Sequence, residues 1–360
     1  MKILYLMWID WRWIWQRPQE LAKKLNLKYD VTVVFPQNII NRQKMQKNNP
    51  YPRKYKKIYV IPFYNKIHII ETVVNWGIRL CLRDVRQYDA IWVGHPLFEK
   101  FIPKEYKGMI IYDCMDNHVA LCGSIEKGKR IEREEINLVK RAELVFVTSN
   151  LLRKYIEKFV DPLNTKIVLV RNGYDYEKTY MPEIAVKKAR YKLGYIGTIS
   201  EWMDYSTILQ SIEQYNNIEY HLVGLVSGNN YVKRERLYYE GVIEHKELYE
   251  KIKDYDCLVM PFIVNDIVSA VDPVKLYEYI SFGKCIISVY YPEIERFGEY
   301  VYFYHSPEEY CKLVDELAKS GFPPKYSREH QSEFLTENTW ERRIQLIEDA
   351  IEQKSDKQVF

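Results

Sequence analysis

Residues 271 to 287 read Val-Asp-Pro-Val-Lys-Leu-Tyr-Glu-Tyr-Ile-Ser-Phe-Gly-Lys-Cys-Ile-Ile, and two side chains there could do chemistry together. Lys275 falls in the first turn of an expected helix, where the macrodipole already supplies positive partial charge and a lysine is mildly disfavoured. An anion reconciles the two, because a phosphate at a helix N-terminus is held by free amides and a nearby cation together. Glu278 lies three residues on, on the same face, and is suited to accept from ribose hydroxyls. The competing reading is a surface Lys–Glu pair on an ordinary amphipathic helix. The flanking residues set the frame. Asp272 is the expected N-cap and Pro273 the first helical residue. Gly283 supplies the left-handed turn that ends the helix, and Cys285 to Val289 then form a buried strand.

Other candidate groups sit where strands are expected to end. The run Lys192 to Ile196 leads into Gly197-Thr198, where a glycine lets the backbone approach a ligand and free amides could meet a diphosphate. Asp89 to Gly94 runs into His95, and Met109 to Asp113 into Asp116 and His118, so polar side chains gather at the strand ends. Each is also explicable as satisfied structure or a helix cap. Four of the eight tryptophans fall within residues 8–15. Trp11, Trp13 and Trp15, with Arg17, offer flat faces and donors suited to sugar rings. The alternative is that two or three of these rings are core.

The elements that must position these groups are short apolar strands alternating with helical or loop segments, the pattern of a parallel α/β sheet. At 360 residues the chain suits two domains. Its 47% hydrophobic and 28% charged content is that of a soluble globular protein. The six cysteines include no C-x-x-C pair and read as reduced thiols of a cytosolic protein. The opening apolar run is stopped by Asp10 and lacks a small-residue cleavage site, so it reads as a first strand and not a signal. Net charge is only +4, but residues 31–70 contain no acid and carry Arg42, Lys44, Lys47, Arg53, Lys54, Lys56, Lys57 and Lys66 among tyrosines. That mixture fits a solvated loop or an anionic lipid surface. Basic grooves with rings also bind single strands, but no nucleic-acid motif stands beside it, and no nucleic-acid partner is expected.

The motif D-P-x-K-x-x-E-Y-x-x-x-G-K at 272–284 resembles the donor-site helix of the GT-B glycosyltransferases, in the branch related to family 4 and close to the teichuronic-acid-type enzymes. W-x-x-Q-R-P-Q at 13–19 resembles the loop of that branch, and N-G-x-D at 172–175 the turn closing the first domain. The resemblance implies an α/β GT-B fold of two Rossmann-like doubly wound domains facing a central cleft. An acceptor-side domain would take residues 1–180 and a crossover helix at 340–356, and a donor domain residues 190–335. It implies that Glu278 holds the ribose, that Lys275, Gly197 and Thr198 serve the diphosphate side, that Asp272 belongs to the donor site, and that the backbone at Val242 and Ile243 meets the base. Asp116 or His118 would contact the donor sugar, with Lys275 completing the catalytic set, and Trp11, Trp13, Trp15, Arg17 and His95 would meet the acceptor.

Ala270 stands where family 4 enzymes carry a second glutamate, a role open to Asp266 or Asp272. The expected reaction is sugar transfer from a UDP-, GDP- or dTDP-type donor to a glycan or lipid-linked acceptor in cell-surface polysaccharide synthesis. By resemblance it is retaining. It is expected to need no cofactor and no metal, since no D-x-D pair is placed for one. The expected location is cytoplasmic, peripheral at the inner membrane face through 42–68. Two alternatives are a nucleotide-sugar epimerase of the same fold and an inactive nucleotide-sugar-binding or scaffold protein.

Overall fold

The computed structural model describes residues 1–38, 50–60, 68–175, 179–180, 185–243 and 245–356. The chain divides into two compact units, Met1–Asn172 with Trp340–Phe360, and Gly173–Thr339. The division thus falls at the Asn-Gly turn, just before the 176–190 stretch expected as the linker.

The first unit runs β1 (Lys2–Leu6), α1 (Arg17–Leu25), β2 (Asp30–Asn38), β3 (Tyr55–Val60), α2 (His68–Cys81), β4 (Ala90–Val93), β5 (Met109–Cys114), α3 (Ile125–Arg141), β6 (Leu144–Val147), α4 (Asn150–Ile156) and β7 (Lys166–Leu169). Its seven strands are parallel and ordered β3-β2-β1-β4-β5-β6-β7. The order reverses direction between β1 and β4, the point at which doubly wound sheets bind ligands. β4, β5 and β6 are buried along their whole length, as strands covered on both faces must be.

The second unit repeats the plan: β8 (Tyr191–Ile196), α5 (Tyr205–Gln214), β9 (Ile218–Val223), β10 (Leu237–Gly241), α6 (His245–Ile252), β11 (Cys257–Met260), α7 (Val274–Ser281), β12 (Cys285–Val289), β13 (Tyr302–Tyr304), α8 (Pro307–Ser320) and α9 (Arg328–Glu337). The strands are again parallel, ordered β10-β9-β8-β11-β12-β13, with the reversal between β8 and β11.

The last helix, α10 (Trp340–Asp356), belongs to the first unit. It buries Trp340, Ile347, Ala350 and Ile351 in the core that also holds Leu21 and Leu25 of α1. Lys28 on one side meets Glu348 and Glu352 on the other at 3.1 and 2.7 Å.

Two expectations about the tryptophan loop are corrected by packing. Trp11 is buried, stacked edge-on to Trp15 at 5.6 Å, and its indole N–H donates to the Pro50 carbonyl at 2.9 Å. It is core and offers no face to a sugar. Arg17 is also buried. Its guanidinium grips Asp113 at the end of β5, at 2.7 and 3.1 Å, and donates to the Val170 carbonyl at 2.9 Å and that of Arg171 at 3.2 Å. With its donors committed inside the protein, Arg17 fixes the start of α1 to β5 and the exit of β7 and is not an acceptor contact.

Candidate functional site

In the second unit the site is built from three strand exits and one helix start. β8 ends in Gly197 with φ +143° and β9 in Gly224 with φ +142°, conformations that L side chains rarely adopt. A Cβ on Gly224 would stand 2.0 Å from the Gly197 carbonyl oxygen, so the two exits are in backbone contact. A Cβ on Gly197 would stand 2.2 Å from Cε of Lys275. The lysine therefore lies directly over the glycine, where any side chain would displace it. Its ammonium also lies 5.8 Å from the ring centre of Tyr195 and 5.9 Å from that of Phe262. Thr198, half-buried next to Gly197, accepts at its carbonyl from the Tyr195 hydroxyl at 2.8 Å.

Helix α7 begins at Val274 with Pro273 as its N-cap residue, and no side chain caps it. Asp272 was expected to do so and does not. Its carboxylate is fully buried, ion-paired to Arg296 and bonded by the Tyr277 hydroxyl at 3.1 and 3.2 Å. Held there, Asp272 tethers the segment before α7 and is not a donor contact. The first amides of α7 are left without that cap beside Lys275, as an anion site requires.

Lys275 and Glu278 do not pair. Among the described residues neither forms an ion pair. Glu278 is recessed but keeps some exposure. Burial pushes its carboxyl up to about 7, against the pull of Lys275. Gly283 closes the helix at φ +68°. Val242 is exposed and Ile243 half-buried just past β10. Of the two stand-ins for the missing glutamate at the buried Ala270, Asp272 is committed elsewhere, and Asp266 is exposed on the loop before α7.

In the first unit the exits of β1, β4 and β5 gather aromatic and titratable side chains. His95 follows β4 and caps the short helical segment Pro96–Phe101, its Nδ1 accepting from Leu97 N at 3.2 Å. That bond makes Nδ1 the acceptor and leaves the proton on Nε2. The His118 ring lies 4.6 Å from the His95 ring, and Trp8 lies 6.0 Å from His95 on another side. His118 is buried, with no hydrogen-bond partner for Nε2. Burial pushes its pKa down to about 4; burial and then His118 hold His95 well below the usual imidazole value. Both rings are neutral at pH 7. Asp116 is raised to about 6 by burial, with Arg17 pulling it down and Asp113 pushing it up. An orphaned ring nitrogen near a carboxyl that stays mostly ionised at pH 7 is a polar lining whose partner would come from a ligand.

Trp13 and Trp15 are half-buried in the loop after β1, Trp15 donating its indole N–H to Glu20. Sequence reasoning singled out neither Gly224 nor Glu135. A strand-ending glycine was visible at 224, but its contact with Gly197 is a property of the sheet. Glu135 lies among the alternating charges of α3 and carries no signal of burial; the Tyr112 hydroxyl donates to it. Among the described residues no three His, Cys, Asp or Glu side chains are gathered as a metal site would need, and no helix is long and apolar enough to cross a membrane.

No family model matches the chain. It is 26% identical over 234 residues to a Bacillus subtilis (strain 168) protein named "Putative teichuronic acid biosynthesis glycosyltransferase TuaH". The match takes in 60% of this chain and spans 59% of the length of that curated relative. Among solved structures, a sucrose-phosphate synthase from Thermosynechococcus elongatus aligns with TM-score 0.73 at 12% identity, covering 98% of each chain. The Anabaena protein HepE in complex with UDP and glucose aligns with TM-score 0.66 at 13% identity, covering 99% of this chain and all of the other. The fold is that of the GT-B glycosyltransferases, and the chain is similar to a teichuronic-acid-type member of that group.

Proposed function

We propose that this protein is a glycosyltransferase that takes a sugar from a nucleoside-diphosphate donor held on the second unit. The observation that carries the reading is the Gly197–Lys275 contact at an uncapped helix start, with Glu278 on the same helix in no ion pair among the described residues. The diphosphate would lie on the amides of Val274 and Lys275 and on the backbone at Gly197 and Thr198, with the Lys275 ammonium as counter-charge. Glu278 would accept from the ribose hydroxyls, and the backbone at Val242 and Ile243 would meet the base. The UDP complex of HepE supports a UDP-type donor, with GDP and dTDP the other candidates.

In transfer, the acceptor hydroxyl oxygen bonds to the anomeric carbon as the bond from that carbon to the phosphate oxygen breaks. The electron pair leaves with the nucleoside diphosphate, and the hydroxyl proton passes to the departing phosphate oxygen. Charge grows on the leaving phosphate, where Lys275 and the α7 amides are already oriented to receive it. His118 and Asp116 would bind sugar hydroxyls, His118 through its orphaned nitrogen. Trp13, Trp15 and His95 would serve the acceptor. The same reading makes the reaction retaining and metal-independent, and the acceptor a glycan or lipid-linked glycan of the cell envelope, met at the inner face of the membrane. The name of the B. subtilis relative supports that setting.

The test is release of free nucleoside diphosphate from UDP-, GDP- and dTDP-sugars with candidate acceptors. Lys275→Ala should lower turnover by about 10²–10³-fold, as loss of one preorganised donor does. Ala270 favours one other outcome, a protein that binds the donor without consuming it. Nucleotide binding with no release on any acceptor would establish that reading.

A further inference from the structure

Helix α2 is apolar on two sides. Val74 and Ile78 are buried inward, while Ile69, Val73, Trp76 and Leu80 point outward, 76%, 52%, 63% and 47% exposed. The outward residues are spaced four, three and four apart, so they form one stripe along the helix. A helix covering a sheet ordinarily turns polar residues to water, and an outward stripe of this size marks a contact surface.

The charge next to the stripe along the sequence says what the contact is. Between residues 31 and 86 the chain has eleven Lys and Arg and only two acids, Glu71 and Asp84. Both acids are already met, Glu71 by Arg130 at 2.8 Å and Asp84 by Arg83 at 3.6 Å. Arg79 and Arg83 stand exposed at the C-terminal end of the stripe. On the neighbouring edge strand β3, Lys56 donates to the Cys81 carbonyl at 2.8 Å, tying the strand to α2. Tyr55, Lys57 and Tyr59 alternate to the opposite face of the sheet and form no part of this surface. An apolar stripe that includes a tryptophan and ends in exposed arginines has the composition of a helix lying in a lipid interface. A protein partner of matching charge would need an acidic rim around an apolar groove; a sheet of anionic headgroups over acyl chains supplies both at once.

We propose that α2 docks on an anionic membrane surface, with Ile69, Val73, Trp76 and Leu80 at the acyl boundary and Arg79 and Arg83 among the headgroups. The 42–68 segment was the expected membrane contact, but 42–49 and 61–67 lie outside the described residues, and the apolar anchor lies beyond it on α2. Docking does not depend on the transfer reading, since vesicle binding needs neither donor nor acceptor.

The experiment is flotation of the full chain with vesicles of phosphatidylcholine alone or mixed with phosphatidylglycerol. It compares wild type, the Ile69→Ser/Val73→Ser/Trp76→Ser variant and the Arg79→Glu/Arg83→Glu variant. Wild type should float with the anionic vesicles, far less with the neutral ones, and each variant should partition at least about tenfold less. Brominated acyl chains should quench wild-type fluorescence and lose that quenching in Trp76→Phe, which keeps the fold. Nucleotide binding should be unchanged in all variants, so failure of docking is distinct from failure of the donor site. Absence of wild-type flotation, equal flotation of the variants, or concentration-dependent dimers abolished by the serine variant without any vesicle binding would each overturn the proposal, the last by making the stripe a contact between copies.

Discussion

Glu278 concentrates the chemistry of the proposed donor site because its environment sets its charge. A ribose hydroxyl donates to a carboxylate, and this carboxyl, raised to about 7 by burial, is half-protonated at neutral pH. Nucleotide affinity should therefore strengthen as pH rises through 7 and level off above it. Glu278→Gln should remove that dependence and leave only the titration of the nucleotide's own phosphate, which isothermal calorimetry on both proteins separates. Glu135 makes the opposite case. Burial raises it to about 7, against the Tyr112, Tyr155 and Cys114 hydrogen bonds that lower it. Its native pKa lies above its unfolded one, so the native state holds the extra proton between about 4.5 and 7. Stability from this group is greatest below that window, falls as pH rises through it, and is flat above. Glu135→Gln should stabilise the protein by about 2 kcal/mol at pH 8 and much less at pH 5, read from urea midpoints.

Among the elements, the paired exits of β8 and β9 are what put Lys275 in place. Gly224 combines a positive φ with backbone contact to Gly197, and that neighbour cannot rotate away as a side chain would. Gly224→Ala should cost about 3 kcal/mol or more in stability. At Gly197 the clash is with the mobile end of Lys275, so Gly197→Ala should lose nucleotide affinity out of proportion to stability. Thermal melts with and without nucleotide distinguish the two. Most of the strands, α7 and its closing Gly283 were legible in the sequence because each depends on local pattern: an apolar run, a proline, a glycine at a turn; the three-residue β13 was too short to show one. The fate of Asp272 was not, because the pull of Arg296, twenty-four residues on, outweighs the capping role its position suggests. Arg17 and Trp11 were misread for the same reason. A loop rich in aromatic and basic residues looks like a binding surface until its long-range partners, Asp113 and Pro50, are known.

For the whole molecule, the division into two units with separate cores governs how binding is seen. Seven of the eight tryptophans lie in the first unit and only Trp202 in the second. Intrinsic fluorescence is thus weighted toward the first unit, and calorimetry, which sees both units alike, is the better readout of the second. The measurement to make is a calorimetric melt of wild type, Lys275→Ala and Glu278→Ala with UDP, GDP and dTDP in turn. A ligand that binds only the native second unit raises its transition by mass action. One nucleotide should raise a transition of the wild type, and both variants should lose the shift. If no nucleotide moves any transition, or if the variants respond as the wild type does, Lys275 and Glu278 do not hold a donor and the transferase reading fails.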